Sequence, residues 1–139
     1  MPFFSDVILY GYNIFQNLEY RLSTRTLINI KNGRIKRFGA TKARLFEYLL
    51  SEMDTGVVYD EDIIIHVFYD NGLRCSKSYL LSMVKKIQLA FNSVGFERYP
   101  FSRLDGKAYK IEQDALERVY VVKKQSFIKN EISSKGQTQ

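Results

Sequence analysis

The sequence predicts an α+β domain with an amino-terminal antiparallel β-sheet, three helices and a carboxyl-terminal β-hairpin. Three observations predict this fold class. Residues 7–35 are rich in β-branched and aromatic residues interrupted by turn residues, which is typical of short strands. From residue 39 onward, apolar residues recur at helical spacing. Residues 76–92 carry three lysines and no acidic residue, and two further short strands follow them.

The amino-terminal strands are bounded by residues that favour turns. Asn13 and Asn17 are expected to end strands, and Lys31-Asn32-Gly33 contains the Asn-Gly pair that is a strong hairpin signal. The expected strands cover residues 7–12, 14–16, 19–22 and 26–30, with a further short strand at 34–38.

Two helices are predicted in the middle of the chain. In residues 39–53 the apolar side chains fall on one helical face: Leu45, Phe46, Leu49, Leu50 and Met53. A short strand is expected at residues 57–58. Residues 60–68 begin with three acidic side chains, which stabilise the positive end of a helix dipole. The β-branched run that follows would also suit a buried strand, but the acidic start favours a helix.

The third helix is predicted over residues 76–92, with Ser76 or Ser78 as its cap. Its core-facing residues recur at intervals of three to four: Leu80, Val84, Ile87 and Phe91. Residues 96–111 are expected to form a hairpin, so residues 1–112 are predicted as the domain. Residues 113–139 are predicted as a carboxyl-terminal extension, largely a polar tail, in which 119–122 add either an edge strand or a helical turn.

Composition limits the class of protein. The 139 residues suit one domain, and 45% hydrophobic with 26% charged residues indicates a globular chain. The formal net charge of +6 favours a polyanionic partner.

The side chains argue against catalysis. Cys75 is the only cysteine, so no internal disulfide can form, and a semi-buried position at a helix start is expected for it. His66 is the only histidine, so no Ser-His-Asp set or His/Cys metal spacing is present, and neither enzyme activity, metal nor cofactor is expected. No run approaches the ~18 apolar residues of a membrane span. A cytoplasmic location is predicted, including as the cytoplasmic part of a membrane-anchored regulator.

The order of elements and four segments resemble the OmpR/PhoB-type winged helix-turn-helix domain, including ToxR/CadC-like regulators. The likeness covers roughly residues 12–111. The first helix of that family is similar to FGATKARLFEYLL (38–50), and its second to VVYDEDIIIHVF (57–68). Its recognition helix is similar to SKSYLLSMVKKIQLAF (76–91), and the end of its wing to RLDGKAYKI (103–111).

The chain departs from the family pattern at five positions. Gly39 replaces a capping Ser or Thr and Lys42 replaces the capping-box Glu, which weakens the helix start by ~1 kcal/mol. Phe68 replaces a tryptophan, Gln88 an arginine that contacts phosphate, and Ala108 a wing glycine.

The resemblance implies a DNA-binding transcription regulator of bacterial type. The third helix is then expected in the major groove of double-stranded DNA, with the wing near 103–107 on the backbone or in the minor groove. Phosphate contacts are expected from Lys77, Lys85 and Lys86, from Arg74 at the helix entrance, and from the backbone amides of the first turn. Base contacts are expected from Ser78, Tyr79 and Ser82, and wing contacts from Arg103 and Lys107. The complete expected set is Arg74, Ser76, Lys77, Ser78, Tyr79, Ser82, Lys85, Lys86, Arg103 and Lys107.

Alternatives stay open at the level of sequence for single residues, for one loop and for the function. Tyr79 also suits packing against the wing, and outward lysines are often simply solvated. By resemblance, the 69–74 loop contacts RNA polymerase, with Asp70 and Arg74 as candidates by position only, although an ordinary connecting loop is the interpretation that the residues favour. The alternative function is a protein-interaction module on a degenerate winged helix, which pairs with itself as a homodimer or with a partner regulator. Outward apolar residues, namely Ile65, Leu89 and Phe101, favour that alternative.

Overall fold

The computed structural model describes residues 6–123, which form an α+β fold with two antiparallel sheets and three helices. The larger sheet has five strands in the order β4-β3-β2-β1-β8, and the smaller has three in the order β5-β7-β6. The strands are β1 Val7–Ile14, β2 Leu18–Arg21, β3 Thr26–Asn29, β4 Ile35–Arg37, β5 Val57–Tyr59, β6 Phe101–Leu104, β7 Ala108–Ile111 and β8 Leu116–Val122. The helices are α1 Ala40–Ser51, α2 Asp60–Ile63 and α3 Lys77–Ser93.

The first strand is longer than the sequence predicted. Asn13 does not end it, because this residue lies within β1 and is paired with Glu19 of β2 and Glu117 of β8. The turn comes later, where Phe15 and Gln16 both adopt positive φ angles. The predicted separate strand at 14–16 is therefore wrong, and β1 runs unbroken to Ile14.

The second helix contains less regular α-helix than predicted. Regular α-helix covers only Asp60–Ile63, and a π-helical turn continues through Ile64–Phe68. Three β-branched residues, Ile63, Ile64 and Ile65, lie at the change of winding, and β-branched side chains restrict a regular helix. The helical character of residues 60–68 was predicted, but the π turn was not.

The core joins both sheets through one aromatic side chain. The ring of Phe46 on α1 makes edge-to-face contacts with Tyr20 of β2, Phe91 of α3 and Phe101 of β6, with centroids 4.8, 5.8 and 6.1 Å away. Such geometry adds to the free energy gained from burial alone. Phe101 is only 5% exposed, so the prediction that it faces outward is wrong.

The structured part of the chain continues past the predicted domain boundary at residue 112. A 3-10 turn at Gln113–Ala115 leads into β8, which pairs along the whole length of β1. Ala115 and Leu116 are buried against the same core. Residues 116–122 therefore form an edge strand of the larger sheet, which includes the edge strand that was one of the two alternatives predicted for 119–122. The remainder of the predicted tail, residues 124–139, lies outside the described residues.

Candidate nucleic-acid interface

Helix α3 begins at a serine cap and buries one face. The Ser76 hydroxyl accepts a hydrogen bond from the backbone amide of Tyr79 at 3.1 Å, which confirms Ser76 as the cap. The four predicted core residues Leu80, Val84, Ile87 and Phe91 are buried, as are Met83 and Ala90. The apolar face therefore fixes which side chains of α3 point outward.

The outward face of α3 holds the expected base and phosphate contacts. Ser78, Ser82, Lys85 and Lys86 are exposed, and none of them lies on the buried stripe. Tyr79 is 44% exposed, and its ring packs edge-on against Phe68 with centroids 5.9 Å apart. This contact holds the Tyr79 ring against the π-helical turn rather than against the hairpin.

The carboxyl-terminal hairpin forms as predicted around Asp105-Gly106. Both residues have positive φ angles, 50° and 66°, and they are the central residues of a turn that is closed by a hydrogen bond from the Lys107 amide to the Leu104 carbonyl at 3.1 Å. The Lys107 side chain is exposed beside this turn. The Lys107 carbonyl accepts a hydrogen bond from the amide of Asp60 at 3.0 Å, which ties the hairpin to the start of α2.

The Arg103 side chain is bound both to the start of α2 and to the hairpin turn, and it is 29% exposed. Its guanidinium donates to both carboxylate oxygens of Asp60, one at 2.7 Å, and to the Gly106 carbonyl at 2.9 Å. It also lies over the Tyr109 ring, 4.6 Å from the centroid. The hydrogen bonds to Asp60 raise the pKa of Arg103 above its ordinary value, so this side chain stays protonated. Arg103 is therefore paired within the fold, and its contact with DNA stays a prediction.

Asp60 links the hairpin to α3 through a second cation. The Lys77 ammonium lies 3.7 Å from the Asp60 carboxylate, while the Lys77 side chain is 55% exposed. Asp60 itself is 5% exposed and was predicted only as part of an acidic helix start. One buried carboxylate thus positions both the first turn of α3 and the hairpin.

Sequence reasoning missed a cluster of lysines beside the carboxyl-terminal half of α3. Lys36 of β4, Lys42 of α1 and Lys86 of α3 line one open depression of about 300 Å³, together with Leu89, Ala90 and Ser93. Burial lowers the pKa of Lys42, and the positive charges of Lys36 and Lys86 lower it further. One member of the cluster could have been noticed in the sequence, because Lys42 stands where the OmpR/PhoB-type pattern has a glutamate. That difference was interpreted only as a weaker cap, and Gly39 indeed supplies no side-chain cap to α1.

The 69–74 loop is a short 3-10 turn that ends at Gly72 with a φ angle of 74°. Asp70 lies 3.3 Å from the Nδ1 atom of His66, and both side chains are about half exposed, 54% and 53%. Arg74 is exposed at the entrance to α3, where it lines a depression of about 200 Å³ with Phe68, Leu73 and Tyr79. Nothing in this geometry identifies a partner, and contact with RNA polymerase stays a prediction.

The positions that depart from the family pattern have distinct surroundings. Gln88 is partly exposed and lines an open depression with Asn92 and Phe96, whereas Ala108 is fully buried. Gln88 therefore lies at the surface and Ala108 lies in the core.

Cys75 is half-buried just before α3, as predicted, and burial raises the pKa of its thiol.

The chain matches no protein-family model, and no curated protein is significantly similar to it. Between residues 6 and 123, no three His, Cys, Asp or Glu side chains come together in a way that would hold a metal ion. Over the same residues, no helix combines the length and the apolar character needed to cross a membrane.

Proposed function

We propose that this chain binds double-stranded DNA as a winged helix-turn-helix domain of the OmpR/PhoB kind and acts as a transcription regulator. In this proposal α3 enters the major groove and the β6–β7 hairpin serves as the wing. The observation that carries the proposal is the outward face of α3, which is exposed, carries lysines and has no acidic residue along the helix.

The shape of α3 supports groove binding. A helix with one buried stripe presents the opposite side chains to solvent as a continuous row. Ser78, Tyr79 and Ser82 occupy the first turns of that row, and Lys85 and Lys86 follow them. In helix-turn-helix proteins the amino-terminal residues of the recognition helix contact base edges, while basic residues neutralise phosphates.

The link between α3 and the hairpin supports simultaneous contact by both. Asp60 is bound to Arg103 of the hairpin and lies near Lys77 of α3, so the two elements share one buried anchor. Lys107 is exposed beside the turn and, among residues 6–123, has no carboxylate within ion-pair distance, whereas Arg103 is already paired with Asp60. The proposed wing contact is therefore Lys107, and Arg103 acts as a positioning residue.

The proposed base-reading set is small. Serine hydroxyls contact several bases, and the expected Arg–guanine pair has no donor on the outward face of α3. Phosphate contacts then supply most of the affinity, and DNA shape supplies much of the sequence preference.

The test is binding of a fluorescent duplex of about 20 base pairs, which spans two helical turns, at two salt concentrations. Lys85→Glu with Lys86→Glu is expected to weaken binding about a hundredfold at low salt, because two phosphate contacts become repulsive. Selection of duplexes from a random pool under the same conditions then separates specific from non-specific binding.

The matched control is Lys31→Glu with Lys123→Glu, which changes the net charge by the same amount at exposed positions outside α3 and outside the β6–β7 hairpin. The control is expected to lose affinity only severalfold. If the α3 variant stays folded and binds as tightly as this control, α3 is not the DNA-contacting helix.

A second candidate function is supported by the outer edge of the larger sheet. β8 is an edge strand, and the exposed apolar residues Val7, Ile8, Tyr120, Val121 and Val122 lie at its end of the sheet. Exposed edges of this kind pair with other chains. Sedimentation that shows a tight complex, together with no duplex retardation at low salt, would favour a protein-interaction module over DNA binding.

A further inference from the structure

The lysines of the depression beside α3 lack counter-charges. Lys36, Lys42 and Lys86 come from three separate elements, β4, α1 and α3, yet they line the same open surface. No carboxylate lies within ion-pair distance of any of the three in residues 6–123. Elsewhere around α3 the cations Lys77 and Arg103 do have such a partner, Asp60.

Lys42 is the least expected member of the cluster. Its side chain is half-buried, and its ammonium lies 5.0 Å from the centroid of the Phe38 ring. Burial of an ammonium without an anion is unfavourable, and two neighbouring lysines add repulsion. The face of the Phe38 ring attracts this ammonium, but it does not reduce the repulsion from Lys36 and Lys86. An anion in the depression would offset that repulsion, so the arrangement fits a bound anionic group.

The remaining lining indicates which anionic group fits. Leu89 is 52% exposed and lies in the same depression, next to Ala90. A depression lined by three lysines and an apolar side chain matches a phosphate linked to a sugar, because the sugar carbons contact apolar groups. Phosphate and sugar contacts are also the ones that position a protein on a duplex.

We propose that Lys36, Lys42 and Lys86 form one phosphate-binding site, which holds a sugar–phosphate unit of the duplex beside the groove occupied by α3. The duplex part of this inference rests on the proposed function, while binding of phosphate itself does not. The site widens the basic surface from α3 to α1 and β4, which belong to the part of the molecule that the sequence assigned only to the scaffold.

The test uses Lys36→Gln with Lys42→Gln, which leaves every side chain of α3 in place. The matched control, Lys31→Gln with Lys123→Gln, removes the same charge elsewhere. Duplex affinity is measured across a series of salt concentrations. The site variant is expected to bind about tenfold more weakly, with the slope of log affinity against log salt reduced by about 0.9, the value for one phosphate. Thermal unfolding checks that both variants remain folded.

A second measurement separates the two sources of phosphate. Inorganic phosphate is titrated into the parent and the site variant, and the backbone amide NMR signals of residues 36, 42 and 86 are followed. Signals that move in the parent and not in the variant support the site.

The outcomes separate this site from the proposed function. If the parent binds the duplex and the site variant matches the control in affinity and salt slope, the site is overturned while DNA binding stands. If the parent binds no duplex, DNA binding fails and the phosphate titration decides: specific shifts support a site for free phosphate, and their absence overturns it.

Discussion

The two ends of α3 are held to the rest of the fold in different ways. At its amino-terminal end, Lys77 and Arg103 converge on the buried carboxylate of Asp60. The carboxyl-terminal end is held by neutral side-chain amides instead. Asn29 and Asn32 both donate hydrogen bonds to the Val94 carbonyl, at 2.9 and 3.1 Å. The lysines nearest that end have no carboxylate partner in the described part of the chain.

This difference teaches which basic side chains are available to a ligand. A cation that is satisfied inside the fold contributes mainly to position, because its donors and its charge are already compensated. Cations without a partner keep their charge for an external anion. Counting basic residues along the chain treats Arg103 and Lys42 alike, although their surroundings are opposite.

The largest effect is expected at the amino-terminal anchor. Asp60→Ala leaves Arg103 without its carboxylate at a partly buried position, and loss of one partner of a buried ion pair costs ~3 kcal/mol of unfolding free energy. Urea unfolding measures this loss. Asp54→Ala is the matched control, because Asp54 is 76% exposed in its pair with Arg118 and should cost less than ~1 kcal/mol. Equal losses in the two variants would show that Asp60 is not a special anchor.

A smaller loss is expected at the carboxyl-terminal anchor. Besides donating to Val94, the Asn29 side chain accepts hydrogen bonds from the Asn17 side chain and the Lys31 amide, at 3.1 and 3.0 Å. Asn29→Ala breaks all three and should cost ~2 kcal/mol, independently of salt because no ionised side chain takes part.

The control for this anchor is Asn32→Ala. Asn32 also donates to Val94 but is exposed, so its loss should cost less than ~1 kcal/mol. Urea unfolding at low and high salt measures both variants. If the loss of unfolding free energy in Asn29→Ala depended strongly on salt, the contacts at this end of α3 would not be purely neutral hydrogen bonds.

The sequence was sufficient for features that depend on local pattern. Apolar spacing identified the buried face of α3, and Asp105-Gly106 identified the hairpin. The same local reasoning limited the cap to Ser76 or Ser78 from residue type and position, and Ser76 is the one that forms it. Each of these depends on residues within a few positions of one another.

Features that depend on distant contacts were not predictable in the same way. The pairing of Asp60 with Arg103 joins residues far apart in sequence, and each had a sufficient local explanation, as a helix start and as a wing cation. The lysine cluster likewise assembles from β4, α1 and α3, so no single segment displays it. The sequence predicted residues 119–122 as an edge strand or a helical turn, but the full extent of β8 follows from pairing with the first strand of the chain, which its own residues do not specify.

The smallest expected effect has the opposite sign to the others. Lys42→Gln removes a half-buried charge that repels Lys36 and Lys86, so it should stabilise the fold by ~0.3 kcal/mol at neutral pH and low salt, and by less at high salt. Because burial and the two neighbours lower the pKa of Lys42, the folded state releases this proton at a lower pH than the unfolded chain. The unfolded chain therefore binds more protons in the alkaline range just below the ordinary lysine value of 10.5, and the stability of the parent rises with pH there.

The advantage of Lys42→Gln should accordingly shrink as the pH rises through that alkaline range. Urea unfolding of parent and variant at neutral and alkaline pH measures the difference, and Lys31→Gln, at an exposed turn, should show no such trend. A destabilising effect of Lys42→Gln at neutral pH would mean that the charge is compensated within the fold. If Lys42→Gln instead stabilises the fold and also weakens duplex binding, Lys42 is a residue that is retained for binding at the expense of stability. Asp60→Ala, by contrast, should lower stability and affinity together, because Asp60 acts on the ligand only through the position of its neighbours.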